Sequence, residues 1–339
     1  MLSLCTACAT APSATTVAAS RETAAVSATG DAADDPAIWV APNPEQSLVI
    51  ATQKQGGLYV FDLSGAITQE VPGGRPNNVD LRAGFAFPEG EGVLVGAGDR
   101  TDNALAFWRF DPATRQLEAT ARARIATGFT EVYGFCLGRM GDDFVAVATD
   151  KGGEVGVWRL VAGADGTLSG ERIVTYALGS IAEGCVVDDE AGDYYVAQEL
   201  VGVWRASLSD ATGANRRLID SIAESGHLKA DVEGVTIYPT ENGGGYVIVS
   251  VQGWSQYAVY DRGGDNAYRG SFAIGASADG QADAVSGTDG IDVTAAALGP
   301  NYPRGLFVAQ DDENMTPTEL QNFKYVSWAD VEAALGLTP

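Results

Sequence analysis

Histidine is almost absent from this sequence, and cysteine is scarce. The 339 residues include one His, His227 in the polar stretch ESGHLKAD, and four Cys. Zinc sites and many di-metal centres are built on imidazole and thiolate ligands. A lone loop histidine is better explained as a surface residue than as a catalyst. These classes of site are therefore excluded, and oxygen ligands, which select hard cations such as Ca²⁺, remain.

Basic residues are also few. The chain has 21 Lys and Arg against 45 Asp and Glu, a formal charge of −24. Proteins bind a nucleic-acid backbone by neutralising its phosphates with Lys and Arg. Nucleic acid is therefore excluded as a partner, and calcium or a cation-rich ligand is the natural counterpart of this surface.

Long apolar runs are missing, so no membrane span is predicted. Residues 1–27 are rich in Ala, Thr and Ser. Within them, CTAC at Cys5 to Cys8 approximates a bacterial lipoprotein cleavage box with Cys8 as the lipidated residue. We predict that 1–27 is a disordered leader with an N-terminal lipid anchor. The protein would then be exported, as a periplasmic, outer-membrane or extracellular protein.

Two cysteines remain in the body of the chain, Cys136 and Cys185. Neither has metal-ligand spacing or opens a phosphate-cradling loop. Both fall in apolar strand segments, which favours the interpretation as buried small hydrophobic residues. A disulfide between them stays open as the alternative.

Glycine and short β-branched runs are abundant. Forty-two Gly and thirteen Pro suit many short strands and tight turns. The stretch 181–205, IAEGCVVDDEAGDYYVAQELVGVWR, contains three such strands with an acid at its start. A helix is predicted only near the C-terminus, in SWADVEAALGL with Ser327 as N-cap.

This acid-headed module recurs six times. Successive heads lie 45 to 56 residues apart, close to the length of one four-stranded blade. The heads are Asp35, Asp80, Glu131, Glu183, Glu233 and Asp289. We therefore predict an all-β, six-bladed β-propeller forming one domain over residues 28–339.

Tight turns make consecutive strands antiparallel, so each second strand returns to the end where the acids lie. Lys54, Arg100 and Lys151 follow the second strands of the first three modules. One end of the propeller should thus combine carboxylates with basic side chains. That combination suits a phosphorylated ligand held by metal ions and cationic groups together.

Eight segments then resemble the bacterial, calcium-dependent β-propeller phytases, in order from about residue 28 to the C-terminus. They are GDAADDPAIW (30–39), NNVDLR (77–82), EVYGF (131–135), EGCVVDDE (183–190), DVEGVTIY (231–238), QGWSQYAVYDR (252–262), TDGIDV (288–293) and YPRGLFVAQDDEN (302–314). The resemblance implies a six-bladed propeller. It also implies a 3-phytase-type phosphoric monoester hydrolase that converts phytate, myo-inositol hexakisphosphate, to lower inositol phosphates and phosphate.

The resemblance also assigns residue roles. The residues implied to contact phosphate at the cleavage site are Lys54, Arg100, Tyr133 and Lys151, with Gln252 close by. The calcium ligands implied near the substrate are Glu183, Glu199, Asp231 and Glu233. A second group implied to form tighter, stabilising calcium sites is Asp35, Asn78, Asp80, Asp283, Asp289, Glu313 and Asn314.

Three positions depart from the family pattern. Gly152 stands where the family usually has Glu, Gly287 where it has Asp, and Gln198 where it has the first Glu of a pair. These departures imply fewer calcium ligands than the family's full set.

The implied chemistry needs no covalent intermediate. A water molecule bound to calcium is expected to attack phosphorus, with Lys54 and Arg100 orienting the phosphoryl group and Glu183 or Glu233 orienting the water. We expect a monomer. Two alternatives stay open: another calcium-dependent propeller hydrolase, such as a lactonase, and a non-catalytic calcium-binding propeller module. A lactonase would not need the three basic residues, and a binding module would not need acids at all six heads.

Overall fold

The computed structural model describes residues 13–163, 166–315 and 318–338. Within these ranges the strands form six sheets of four or five strands each, which confirms the predicted six-bladed β-propeller. The first two strands in the chain are β1 (Ala14–Ala18) and β2 (Arg21–Glu22). The strands of blades 1 to 3 are β3 (Ala33–Trp39), β4 (Leu48–Gln53), β5 (Gly57–Asp62), β6 (Ile67–Pro72), β7 (Pro76–Phe87), β8 (Gly90–Asp99), β9 (Ala104–Asp111), β10 (Gln116–Leu117), β11 (Ala123–Ala126), β12 (Val132–Met140), β13 (Asp143–Asp150), β14 (Glu154–Ala162) and β15 (Leu168–Ala177). The strands of blades 4 to 6 are β16 (Ala182–Asp188), β17 (Asp193–Gln198), β18 (Gly202–Ser207), β19 (Arg217–Ser221), β20 (Val232–Pro239), β21 (Gly245–Val251), β22 (Gln256–Asp261), β23 (Tyr268–Gly275), β24 (Ile291–Thr294), β25 (Leu306–Asp311) and β26 (Asn322–Ser327).

The second strand of each blade carries much of the core. In β4 all six residues, LVIATQ, are buried, because each sheet is covered on both faces by its neighbours. The first strand of each blade is the innermost one, and these six strands surround a central cavity of about 330 Å³. All six run in the same direction, so their first residues lie at one end of the cavity, which we call the site face.

The N-terminal segment closes the ring. Strand β1 adds to the outer edge of blade 5, parallel to β23, and β2 pairs antiparallel with β26 of blade 6. The backbone N–H of Thr23 also donates to the carbonyl of Phe323, at 2.8 Å. The prediction of a disordered leader is therefore wrong for Ala14–Ala18 and Arg21–Glu22, which form strands paired with β23 and β26, more than 250 residues away. Residues 1–12, with the predicted lipidation site Cys8, lie outside the described residues.

Cys136 and Cys185 form a disulfide, with Cα atoms 5.7 Å apart. It joins β12 to β16, the innermost strands of blades 3 and 4. The favoured interpretation of these residues as unpaired hydrophobic side chains is therefore wrong. Both are buried, as expected, but they cross-link two adjacent blades.

The predicted C-terminal helix is α1 (Trp328–Leu335). Ser327 occupies its N-cap position without a side-chain capping hydrogen bond, and Gly336 ends it in the left-handed conformation, at φ 63°. Trp328 is fully buried and stacks on Tyr238 of blade 5, at 4.3 Å between ring centroids. Short 3₁₀ helices span Pro44–Gln46, Glu241–Gly243 and Gln252–Trp254. Among the described residues, no helix has both the length and the apolar character needed to cross a membrane.

Candidate functional site

The starts of the innermost strands converge on the site face. Five of the innermost strands each contribute their second residue, and the sixth, β24, contributes the residue two positions before it begins. We call these six residues the head cluster: Asp34, Asn77, Tyr133, Glu183, Glu233 and Asp289. Tyr133 is partly exposed and the other five are buried, Asp34 completely and Glu183 with 2% exposure. Burying this many carboxylates is unfavourable unless cations accompany them.

Lys54 supplies one such cation. Its Nζ lies 2.9 Å from Asp34 Oδ1 and 3.2 Å from Asp289 Oδ2, and it also pairs with the exposed Asp31 at 2.7 Å. Burial disfavours the charged ammonium, but Asp34, Asp289 and Glu183 outweigh that effect and raise the pKa of Lys54. Lys54 therefore stays protonated and ties blade 1 to blade 6.

Glu183 lies at the centre of the head cluster. Asn77 Nδ2 donates to Glu183 Oε1 at 2.5 Å, and a carboxylate oxygen of Glu233 lies within 4.8 Å of one of Glu183. Single carboxylate oxygens of Asp34, Glu183 and Asp289 lie within 4.8 Å of one another. The same holds for Glu183, Glu199 and Glu233. Glu183 belongs to both groups and links them.

The head cluster has more negative charge than Lys54 balances. Burial, followed by the negative charge of Asp34, raises the pKa of Glu183 to about 7. Burial and neighbouring carboxylates also raise the pKa values of Glu233 and Asp289 well above their ordinary range. Among the described residues, the buried oxygens Asp34 Oδ2 and Glu233 Oε2 have no hydrogen-bond partner. Oxygen ligands of this kind favour a hard cation.

The predicted phosphate-contacting residues lie beside this cluster. Arg100 donates through Nη2 to the carbonyl of Lys54 at 3.2 Å, and its buried Nε has no partner among the described residues. Lys151 pairs with Glu131 at 2.8 Å and lies 4.9 Å from the ring centroid of Tyr133. Burial, with Glu183 next in effect, raises the pKa of Tyr133, so its hydroxyl stays protonated. The structure thus brings Lys54, Arg100, Tyr133 and Lys151 to one face.

Glu199, Asp231 and Gln252 form the rim of the site on blades 4 and 5. The N–H of Asp231 donates to the carbonyl of Glu199 at 3.1 Å, and the N–H of Gln252 donates to the carbonyl of Asp231 at 2.9 Å. Asp231 adopts the left-handed conformation, at φ 69°, which Asp tolerates better than most residues. Burial and the charge of Asp231 raise the pKa of Glu199.

Asp35, Asn78 and Asp80 line the central cavity below the head cluster. Asp35 Oδ2 accepts from Val79 N at 3.0 Å, and Asp80 Oδ2 accepts from Leu137 N at 2.8 Å. Each of these carboxylates therefore joins its own blade to the next one. Asn78 Oδ1 accepts from Asn77 Nδ2 at 3.1 Å, which connects the cavity to the head cluster.

Asp283 and Asn314 belong to a different cluster, at blade 6. Its centre is the fully buried Lys324, whose Nζ lies 2.6 Å from Asp283 Oδ1 and 2.9 Å from Asp311 Oδ2. Asn314 and Glu313 lie on the segment that follows β25. The side chain of Asn314 is buried and that of Glu313 is exposed. Apart from Glu313, whose side chain is exposed, the residues implied to form stabilising sites therefore lie in three places: the cavity, the head cluster through Asp289, and blade 6.

The three departures from the family pattern differ in their surroundings. Gln198 is buried and hydrogen-bonded to Ser180 and Trp204, so its side chain serves the blade 4 core. Gly152 is exposed on the turn after β13. Gly287 has φ 50°, in the left-handed region that most residues other than glycine avoid but that Asp tolerates, as at Asp231.

Sequence reasoning missed two members of the head cluster, Asp34 and Asn77. Both precede residues that were identified, Asp35 and Asn78. Successive side chains of an extended strand alternate between its two sides, so the doublets DD and NN each place one residue in the head cluster and one in the cavity. The doublets in the sequence were therefore the signal that a second polar residue at each of these strand starts could belong to the site.

Comparisons with known proteins identify the family of this chain. The sequence model of the family described as Phytase matches residues 1–339. The 3-phytase of Bacillus subtilis (strain 168) is 40% identical over 334 residues, which cover 95% of this chain and 86% of that protein. Among solved structures, the crystal structure of BBS1N in complex with ARL6DN, soaked with lead, gives a TM-score of 0.44 at 8% identity, covering 85% of this chain and 77% of that chain. This last likeness is too weak to support an inference. The match over the whole chain and the relative with 40% identity show that the chain belongs to the phytase family.

Proposed function

We propose that this phytase hydrolyses phytate at the head cluster and that calcium ions bound there are required. The relative named 3-phytase supports the substrate. The observation that carries the requirement for calcium is the excess of buried carboxylate over Lys54 in the head cluster. A phosphate group, itself an anion, can approach these carboxylates only when further positive charge is present.

The residues present fit calcium. Every candidate ligand is an oxygen, and Asp34 Oδ2 and Glu233 Oε2 are buried without a partner among the described residues. Glu183, Glu199 and Glu233 would hold one ion, and Asp34, Glu183 and Asp289 a second. When bound, calcium neutralises phosphoryl oxygens and lowers the pKa of water. Asp231 and Gln252 lie beside the first of these groups, because the backbone of Asp231 is hydrogen-bonded to that of Glu199 and the backbone of Gln252 to that of Asp231.

The chain's own residues then bind and orient the phosphoryl group. Arg100 and Lys151 are both partly exposed beside the head cluster, so both can donate to phosphate oxygens. The protonated hydroxyl of Tyr133 donates a further hydrogen bond. Glu183, held ionised when cations are bound beside it, can accept the proton that the attacking water loses and pass it to the inositol oxygen as the bond from phosphorus to that oxygen breaks.

Phosphate release from phytate tests this proposal. We expect release in calcium, loss of release in excess chelator, and recovery when calcium is restored. Arg100→Ala should lower activity at least about tenfold, since it removes a charged donor to the reacting group. Arg269→Ala is the matched control, because Arg269 is an exposed arginine of blade 5 that pairs with Asp261. Phosphate release that is insensitive to chelator would overturn the requirement for calcium.

We also propose that the protein is an exported monomer, anchored through a lipid on Cys8. The disulfide between Cys136 and Cys185 supports export, since such bonds persist in oxidising compartments. Lipidation is supported by the sequence box alone. Cell fractionation of the full chain and of a Cys8→Ala variant tests it: the variant should leave the membrane fraction, and an unchanged distribution would contradict the anchor.

A further inference from the structure

Glycine follows four members of the head cluster. Gly134, Gly184, Gly234 and Gly290 come directly after Tyr133, Glu183, Glu233 and Asp289. None of the four has a positive φ, so backbone conformation does not require glycine there. What requires it is the lack of space for a side chain.

Each of these glycines faces the next head residue in the ring. A Cβ on Gly134 would lie 1.8 Å from the carbonyl oxygen of Glu183, and one on Gly184 would lie 2.2 Å from that of Glu233. A Cβ on Gly234 would lie 2.8 Å from the carbonyl oxygen of Asp289. A Cβ on Gly290 would lie 2.6 Å from the carbonyl oxygen of Asp34 and 2.2 Å from Asp35 Oδ1. The contacts therefore run without a break from blade 3 to blade 6 and on to blade 1.

Hydrogen bonds fix the same backbone. The N–H of Gly290 donates to the carbonyl of Asp34 at 3.1 Å. Buried hydroxyls on the second strands add two more bonds: Ser250 Oγ donates to the carbonyl of Asp289 at 2.7 Å, and Thr149 Oγ1 donates to that of Ala182 at 2.5 Å. The head residues are thus held by direct backbone contact between blades.

We propose that Gly134, Gly184, Gly234 and Gly290 are positioning residues that set the separation of the carboxylates in the head cluster. This inference rests on the proposed calcium-dependent function, because it assigns to these glycines the spacing on which cation binding depends. Added methyl groups must push neighbouring strand starts apart by around 1 Å in the tightest cases. Sites of this kind require ligand placement within about 0.5 Å.

Strand β12 offers a matched control for Gly134. Gly138 lies on the same strand, about 13 Å further along, and its Cβ would lie 2.2 Å from Val187 Cγ1 on β16. Gly134→Ala and Gly138→Ala therefore wedge the same two strands apart, one at the head cluster and one away from it. Gly263→Ala is the neutral control, because nothing lies within 4 Å of its Cβ position.

The experiment measures three quantities for each variant: calcium binding by titration calorimetry, unfolding in chelator, and the kcat and KM for phytate. We expect both β12 variants to unfold more readily than wild type. Gly134→Ala alone should weaken calcium binding at least about tenfold and lower kcat. Calcium binding weakened equally in Gly138→Ala, or unchanged in Gly134→Ala, would overturn the inference.

A graded series keeps the test decisive where one variant fails to fold. Gly234→Ala has the mildest contact, so its loss of calcium affinity should be smaller than that of Gly184→Ala. The reverse order would contradict positioning by close contact. Calorimetry also distinguishes failure of the proposed function from failure of the positioning role of the glycines. Wild type that binds calcium but releases no phosphate from phytate would contradict the proposed function and leave the positioning role standing.

Discussion

The buried carboxyl groups of Glu183 and Glu233 lie side by side across the boundary between blades 4 and 5, with an oxygen of one within 4.8 Å of an oxygen of the other. Two ionised carboxylates this close repel each other, so the charge on one disfavours ionisation of the other. Burial is the main cause that raises both pKa values, that of Glu183 to about 7. The pair therefore resists ionisation unless positive charge offsets its own.

Glu233→Gln should therefore separate stability from function. The amide can donate to Glu183 and removes one buried carboxyl whose ionisation is unfavourable. In chelator at pH 8 we expect the variant to be more stable than wild type by about 1–3 kcal/mol. Activity in calcium should fall at least about tenfold, since one cation ligand is lost. Denaturant unfolding and phosphate release measure the two effects, and a variant less stable than wild type in chelator would contradict the explanation.

Lys54 and Arg100 should respond differently to truncation. Lys54 is buried between Asp34 and Asp289, so Lys54→Ala leaves buried carboxylates without a cation. We expect a loss of about 3–5 kcal/mol in chelator. Arg100→Ala removes a single bond to the carbonyl of Lys54 and should cost under about 1 kcal/mol while lowering activity. Urea unfolding of both variants checks this, and equal destabilisation would contradict the assignment of Lys54 as a structural cation.

The propeller itself was predictable because its signals are local. Turn residues and β-branched runs mark each strand, and antiparallel order places Lys54, Arg100 and Lys151 at the acid-bearing end. The choice between Asp34 and Asp35 was not predictable, because a register shift between Ala33 and Pro36 sets which one enters the head cluster.

Pairing over long distances also escaped the sequence. Strand β1 is an Ala- and Thr-rich segment whose partner, β23, lies more than 250 residues away. The segment has no strand-like apolar pattern of its own, so its composition predicted a leader. It is stable as a strand because it pairs with β23 at the outer edge of blade 5. Cys136 and Cys185 are separated by 49 residues, about one blade, and only the packing of adjacent blades shows that they meet.

Asp292 should make stability depend on pH. It lies in the central cavity, faced by Asp35 on β3 and by Asp80 and Arg82 on β7. Burial, followed by the charge of Asp80, raises the pKa of Asp292 to about 7. The folded state therefore binds more protons than the unfolded state between about pH 4 and 7, and stability falls as pH rises through this window.

Asp292→Asn tests that dependence. Other buried carboxyl groups with raised pKa values also make stability fall as pH rises. The slope of unfolding free energy against pH in wild type is therefore the sum of their contributions and that of Asp292. Removing Asp292 should reduce the slope by up to about 1.4 kcal/mol per pH unit. Unfolding free energies in chelator at pH 5, 6, 7 and 8 give both slopes. Identical slopes would mean that Asp292 does not titrate in this range.

The disulfide should stabilise the boundary between blades 3 and 4. It closes a segment of 49 residues. Cys136→Ala with Cys185→Ala should therefore lower the free energy of unfolding by about 2–4 kcal/mol. A reducing agent should produce the same loss in wild type and no change in the double variant. A reductant effect of equal size in both proteins would show that it acts elsewhere.

Gly152 is the departure from the family pattern that a substitution can reverse. Its φ is not in the left-handed region, and a Cβ there would lie 3.1 Å from Asp150 Oδ1, a tight but relievable contact. Gly153 differs: its φ is 84°, and a Cβ there would lie 2.2 Å from the carbonyl oxygen of Ser180. Glutamate should therefore be tolerated at 152 and rejected at 153.

Gly152→Glu should lower the calcium concentration needed for half-maximal activity, because the added carboxylate lies beside Lys151 at the edge of the head cluster. The calcium dependence of thermal unfolding should stay where it is, since it also reflects sites away from this turn. Gly152→Gln is the matched control: it has the same size without the charge, so its activity curve should follow wild type. Phosphate release and thermal unfolding over the same calcium series measure both curves. If Glu and Gln shift the activity curve equally, the side chain acts through the shape of the turn. If neither shifts it, the missing carboxylate does not set the calcium requirement of this enzyme.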